Sequence, residues 1–293
     1  MYYVLLFILK LFSRMPFRVL YAISDLLYFP LYYVVRYRRR IVRRNLAESF
    51  PEKSQKEIRQ IEKQFYHFFI DVLLESSKLL TISFDEIQRR AYFKNLDLIS
   101  AELEAGRDVS VFIGHYANWE WICTAGLQLG KQTHLVQIYH QLSNKYMERI
   151  VLYLRERFGN KSVLRHETVR YIINASKEGR RLCIGFIADQ SPKRREAKHF
   201  LSFLNHNIPV LTGTEKLVKH FGHTAFYLSA KRIRRGFYEY ELSPLCDDPK
   251  SLPDYELTRL YFERLERDIR RQPELYLWTH NRFKYAVRAE GNN

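Results

Sequence analysis

With 293 residues, 46 % of them hydrophobic, the chain can bury a large core and is too apolar to be disordered. A formal charge of +16 with 15 % aromatic residues points to an anionic partner, either nucleic acid, an anionic membrane or a phosphorylated substrate. Cys123, Cys183 and Cys246 have no paired spacing, which argues against a disulfide framework or a zinc ribbon and for a reducing compartment.

In chain order, residues 2–12 (YYVLLFILKLF) are apolar apart from Lys10, and residues 15–35 are interrupted by Arg18 and Asp25. Neither segment offers the roughly 18 uncharged apolar residues of a clean membrane span. A basic leading region and a cleavage site are missing, so this is a poor signal peptide. Six arginines then fall within Arg36–Arg44, RYRRRIVRR. An apolar aromatic segment running into arginines reads as an anchor on an anionic membrane leaflet, each arginine being worth about 1 kcal/mol there. A buried helical hairpin followed by a solvated basic helix is the alternative. Residues 1–44 are therefore expected to form a hydrophobic anchor that spans or lies on the bilayer.

Residues 45–98 read as a helical connector. Pro51 breaks it, and Ser54 with Glu57 forms a capping-box pattern. Ile58, Ile61, Phe65, Phe68, Phe69 and Val72 give the following helix an apolar stripe. Residues 84–98 read as a polar-apolar connector. From residue 99 the pattern alternates. Strands are expected at 109–113, 134–139, 163–164, 181–188, 224–233 and 237–242, and helices at 98–104, 119–129, 144–158, 167–177, 211–220 and 252–271. That alternation predicts an α/β core over 99–293 with a mostly parallel sheet flanked by helices. The Arg234–Gly236 turn predicts that the last strand returns antiparallel.

The chemistry concentrates in VFIGHYANWEW, Val111–Trp121. His115 and Glu120 sit where a strand hands over to a helix, and ligands of open α/β sheets bind beyond the carboxyl ends of strands. Five helical positions turn about 140° beyond a full circle, so the two side chains cannot meet within one regular helix. If His115 precedes the helix that carries Glu120, the carboxylate can reach back and hold the imidazole as a general base. Alone, the pair reads more readily as a structural histidine near an acid. No serine elbow, zinc motif, phosphate loop or dinucleotide fingerprint accompanies it. A base without an enzyme nucleophile fits a substrate hydroxyl attacking an activated acyl group. Groove-reading and stacking motifs for nucleic acid are also missing.

GHYANWEW resembles the His-x4-acid block of the glycerolipid acyltransferase superfamily, in the glutamate form of the lipid A late acyltransferases (lauroyl and myristoyl transferases). RRIVRRNLAESFPEKS (39–54), IYHQLSN (138–144), RYIINASKEGRRLCIGFIADQSP (170–192) and PELYLWTHNRFK (273–284) resemble further blocks of that family in the same order. The resemblance covers residues 15–285. It implies a glycerolipid-acyltransferase-like fold with an N-terminal helical membrane-associated segment, and an enzyme with His115 as base and Glu120 as its partner. It further implies that Asn118, Asn144, Asp189 and Gln190 line the substrate site. Arg165 and Arg170 are candidates for acceptor phosphates. Lys193, Arg194, Arg195 and Lys198 could grip phosphate or an acidic carrier protein. His140 stands where the family usually has arginine. The implied reaction uses acyl carrier protein (or CoA) thioester as donor and a phosphorylated glycolipid, a lipid A precursor, as acceptor. No metal, cofactor or nucleic acid is expected, and the expected place is the inner membrane with the site facing the cytoplasm. Acylation of a lysophospholipid or aminolipid, and a non-catalytic basic membrane-binding protein, are the competing readings.

Overall fold

The computed structural model describes residues 2–130 and 133–288. Two short helices open it, α1 (Tyr2–Ser13) and α2 (Phe17–Phe29). Pro30 has no N–H to bond back along the helix, and the chain widens there into a π-helical turn, Pro30–Val35. Arg36 and Arg38 take left-handed backbone conformations and redirect the chain into α3 (Arg39–Ser49). No described helix is long and apolar enough to cross a membrane.

The long helix α4 (Gln55–Lys78) starts on the expected capping box: the Glu57 N–H donates to Ser54 Oγ and the Ser54 N–H to the Glu57 carboxylate. Of its expected stripe, Ile58, Ile61, Phe65, Phe68 and Val72 are buried. Polar contacts tie α2 to α4. Ser24 donates to Asp71, and Tyr21 donates to Glu75 at 2.8 Å. Glu75 is fully buried and also accepts from Tyr238 and Asn118, both at 2.8 Å.

The segment expected as a polar-apolar connector holds α5 (Phe84–Arg90) and an edge strand, β1 (Ala91–Lys94). Four residues are too few to show a period of two, so the strand left no pattern. Then follow α6 (Asp97–Glu104), β2 (Val109–Ile113), β3 (His134–Tyr139), α7 (Lys145–Glu156), β4 (Lys161–Leu164), α8 (Thr168–Lys177) and β5 (Leu182–Ile187). The hairpin β6 (His199–Phe203) and β7 (His206–Val210) was not anticipated. Its turn residues Leu204 and Asn205 both have positive φ, the geometry of a tight two-residue hairpin turn, but Leu-Asn lacks the usual glycine. The chain closes with α9 (Gly213–Phe221), β8 (Thr224–Arg234), β9 (Phe237–Pro244), α10 (Glu256–Arg271) and β10 (Val287–Arg288). The last long helix starts at Glu256 rather than 252, beyond Pro253.

The main sheet has the order β1-β9-β8-β2-β5-β3-β4. Only β8 and β9 pair antiparallel, as the short turn between them predicts. The others pair parallel, so this is the expected mixed, mostly parallel α/β sheet. All five residues of β2 are buried, which fits a central strand covered on both faces. A smaller sheet, β10-β7-β6, stands beside it. The face of α10 carrying Leu257, Tyr261, Phe262, Leu265 and Ile269 is buried and packs on β8. This helix also fixes the carboxyl end of β2, where the Tyr261 hydroxyl donates to the Ile113 carbonyl at 2.8 Å.

Candidate active site

The chain leaves β2 at Gly114. Here the glycine answers a close approach rather than a left-handed backbone: a Cβ at this position would stand 2.5 Å from Leu265 Cδ1. The left-handed residue of the turn is the buried Ala117, with φ of 52°. Backbone bonds from Ala117 N to Leu275 O and from Leu277 N to His115 O clamp the turn against the segment after α10. Tyr116 reaches back to the Asp268 carbonyl at 2.8 Å. His115 thus sits on an anchored turn and precedes the helix carrying Glu120, in the order the sequence requires. That helix, Trp119–Leu127, is of the tighter 3-10 type.

The expected contact between His115 and Glu120 does not form. His115 Nδ1 lies 2.6 Å from Asp189 Oδ1, and the His115 backbone N–H donates to Asp189 Oδ2. Asp189 follows β5, the neighbour of β2, so parallel pairing places the acid beside the histidine. Glu120 turns the other way. Both its oxygens accept from Arg155 of α7, at 3.0 Å from Nε and 2.8 Å from Nη2, and one also accepts from Trp119 Nε1 at 3.2 Å. Trp119 stands edge-on to the His115 ring, with centroids 5.6 Å apart.

Burial favours a protonated Asp189, but the His115 ring, its hydrogen bonds and the Arg282 charge outweigh that and hold the carboxyl below its ordinary value. The carboxylate therefore accepts the Nδ1 proton and leaves Nε2 as the open lone pair. Gln190 is exposed and places its amide nitrogen 3.2 Å from Nε2, where it donates to that lone pair. Behind this layer, Ser191 donates its N–H to His280 Nε2 and its hydroxyl to the Arg282 carbonyl. Burial pushes His280 down to about 4, so it stays neutral. Arg282 is 1 % exposed and donates to Pro209 O and Ser191 Oγ. Burial lowers Arg155 while Glu120 raises it, and the carboxylate wins.

Beside the histidine lies an apolar cavity of about 110 Å³, between the 3-10 helix and the strands β2, β5 and β3. Trp119, Ile122, Ala125, Val111, Leu135 and Ile187 are among its walls, and Glu120, Arg155, Gln137 and Asn160 supply its polar part. Trp119 both lines the cavity and touches His115.

The other expected site residues are placed as follows. Asn118 is fully buried: its Oδ1 accepts from Trp121 N and its Nδ2 donates to Glu75, so neither end of the amide faces the cleft. Asn144 is exposed and caps α7 through Tyr146 N and Met147 N. Arg165 lies after β4, 3.8 Å from Glu196, and Arg170 pairs with Glu167 on the surface of α8. Asn144, Arg165 and Arg170 make no hydrogen bond with His115, Asp189 or Gln190. Sequence reasoning passed over Arg155, which is one of 48 lysines and arginines and carries no local signal. Among the described residues, no three His, Cys, Asp or Glu side chains group so as to hold a metal ion.

Comparison with known sequences bears on this arrangement. The sequence profile of the family described as bacterial lipid A biosynthesis acyltransferase matches residues 1–285. The chain belongs to that family. Among individual relatives, it is 26 % identical to the lipid A biosynthesis lauroyltransferase of Escherichia coli K12 over 288 residues, 97 % of this chain and 90 % of that one. It is 25 % identical to the palmitoleoyltransferase of the same organism over 249 residues, covering 84 % and 79 % of the two chains. The corresponding figures for the myristoyltransferase are 20 % over 237 residues, covering 80 % and 71 %. This acyltransferase thus matches its relatives over most of their length.

Proposed function

We propose that the protein transfers a fatty acyl chain from an acyl thioester, carried by acyl carrier protein or CoA, to a hydroxyl of a lipid A precursor, with His115 as general base. The observation that carries this reading is the His115 ring, tied through Nδ1 to a buried carboxylate, its Nε2 met by the exposed Gln190, and stacked edge-on against Trp119, a wall of the apolar cavity. The acceptor hydroxyl takes the position that Gln190 now fills. Nε2 removes its proton as the oxygen attacks the thioester carbonyl. Collapse of the tetrahedral species breaks the C–S bond, and His115 returns the proton to the departing thiolate. Asp189 stabilises the imidazolium formed in between. The acyl tail enters the cavity. Glu120 holds Arg155 at the polar end of that cavity, with guanidinium N–H groups left over for the thioester oxygen.

Exposed Val4, Phe7, Leu11, Leu26, Phe29 and Val34 on the N-terminal helices support docking in the plane of one leaflet. The arginines of α3 would meet the headgroups on the cytoplasmic side of the inner membrane. The test is His115→Ala in purified full-length protein. Transfer should fall by at least a hundredfold at an unchanged melting temperature, and near-normal transfer would sink the mechanism.

A further inference from the structure

The five arginines Arg36, Arg39, Arg40, Arg43 and Arg44 line one open basin of about 790 Å³. They are not equivalent. Arg39 and Arg43 converge on the buried Glu62 carboxylate, at 3.0 and 2.7 Å, and are fixed by it. Arg36, Arg40 and Arg44 have no carboxylate partner: Arg36 donates to the Tyr33 carbonyl, Arg44 to Asn281 Oδ1, and Arg40 to nothing among the described residues. Five guanidiniums against one carboxylate leave four positive charges facing the basin. The positive end of the α3 dipole adds to them. An open basin edged by exposed arginines without carboxylate partners matches the geometry of phosphate oxygens.

Two further observations decide what kind of phosphate. The residues just before the basin, Phe29, Tyr33, Val34 and Val35, and Tyr37 within its stretch of chain, are exposed and largely apolar side chains. The ligand is thus an amphiphile, with acyl chains on one side and phosphate on the other. The helix that carries the basin is also tied to the segment that clamps the catalytic turn, and the basin's own Arg44 donates to Asn281 there. Arg38 donates to the Thr279 carbonyl, and Asn45 to the Trp278 and His280 carbonyls, while the His280 ring accepts from Ser191, next to Gln190. The segment 277–281 thus links α3 to the histidine's turn, through the Leu277 N–H bonded to the His115 carbonyl.

We infer that the α3 arginine basin is a binding site for the phosphate group of a lipid, seating the phosphorylated end of the substrate while its hydroxyl reaches His115. The second clause rests on the proposed acyl transfer; the phosphate site does not.

The experiment uses full-length protein and phosphatidylcholine vesicles with or without phosphatidic acid. Replacing Arg36, Arg40 and Arg44 together by Gln should weaken binding to phosphatidic acid vesicles about a hundredfold, at about a factor of five per arginine. Binding to pure phosphatidylcholine and the melting temperature should stay unchanged. A control with equal charge loss on exposed residues elsewhere, Lys177, Arg181 and Arg267 to Gln, should change binding less than threefold. An equal loss in the control, or none in the basin variant, overturns the site. Saturable binding of inorganic phosphate that phosphatidic acid fails to displace overturns the lipid assignment. His115→Ala should bind phosphatidic acid normally. If wild-type protein binds but transfers no acyl chain, the proposed reaction fails and the phosphate site stands.

Discussion

Replacing Asp189 by Asn removes the charge facing His115 while keeping its shape. In the wild type the carboxylate is 2 % exposed and 2.6 Å from Nδ1, so it meets the imidazolium with little solvent between them. At charge centres about 4 Å apart and an effective dielectric of about 20, the attraction is about 4 kcal/mol. A general base must start with a neutral ring, and in that starting state little of this attraction acts. Nearly all of it is therefore lost from the transition state, about a thousandfold in rate. Asn can still accept the Nδ1 proton through Oδ1, but its Nδ2 then faces the His115 backbone N–H that Oδ2 accepts in the wild type, so part of the loss comes from this displaced hydrogen bond. The assay is single-turnover transfer from a radiolabelled acyl thioester, with melting temperature measured in parallel. A second readout comes from acid unfolding. Asp189 is depressed in the folded state, so its contribution to stability is full above the unfolded value near 3.8 and is lost as pH falls through the folded value. The Asn variant should lack that acid limb. Transfer within fivefold of wild type, in a variant that melts normally, refutes the role given to Asp189.

Glu120→Gln and Arg155→Met should each slow transfer, and the double variant should be no worse than the poorer single one, with a coupling energy of about 1–2 kcal/mol; additive losses would mean the two act separately. His280 is depressed to about 4, so the fold keeps it neutral and loses stability as pH drops from about 6.5 toward 4. Denaturant titrations at pH 7 and pH 5 should show wild type losing about 2 kcal/mol more than His280→Gln, and equal losses would contradict the buried neutral ring. Ala125→Leu fills part of the cavity and should shift products from mixed thioesters toward shorter acyl chains by mass spectrometry, at about 1–3 kcal/mol of stability. An unchanged chain-length distribution would move the acyl tail elsewhere.

The α/β core was readable because its strands alternate with helices of clear period, and because glycines and a three-residue turn mark the breaks. The α4 capping box is a local signal and forms as written. What sequence could not settle is which acid faces His115. Glu120 is near in the chain, but its direction is decided by Arg155, thirty-five residues away on α7. Asp189 is seventy-four residues from His115 and comes beside it through the parallel pairing of β2 with β5. Sequence distance favoured the wrong neighbour for this contact; sheet order favours the right one. Asn118 illustrates the same limit, since its amide is drawn inward by a carboxyl group on α4.

That carboxyl group ties two parts of the molecule together. Glu75 receives one donor from the N-terminal helix pair, through Tyr21, and another from the turn that carries the histidine, through Asn118. Burial raises its pKa, so each missing donor is felt as an unsatisfied interior oxygen. A fragment trimmed of α2 would leave that oxygen without its Tyr21 donor, whereas Asp71, which loses Ser24, keeps Arg235 and Arg232. The N-terminal helices are thus masonry of the turn that carries His115, not a detachable tether.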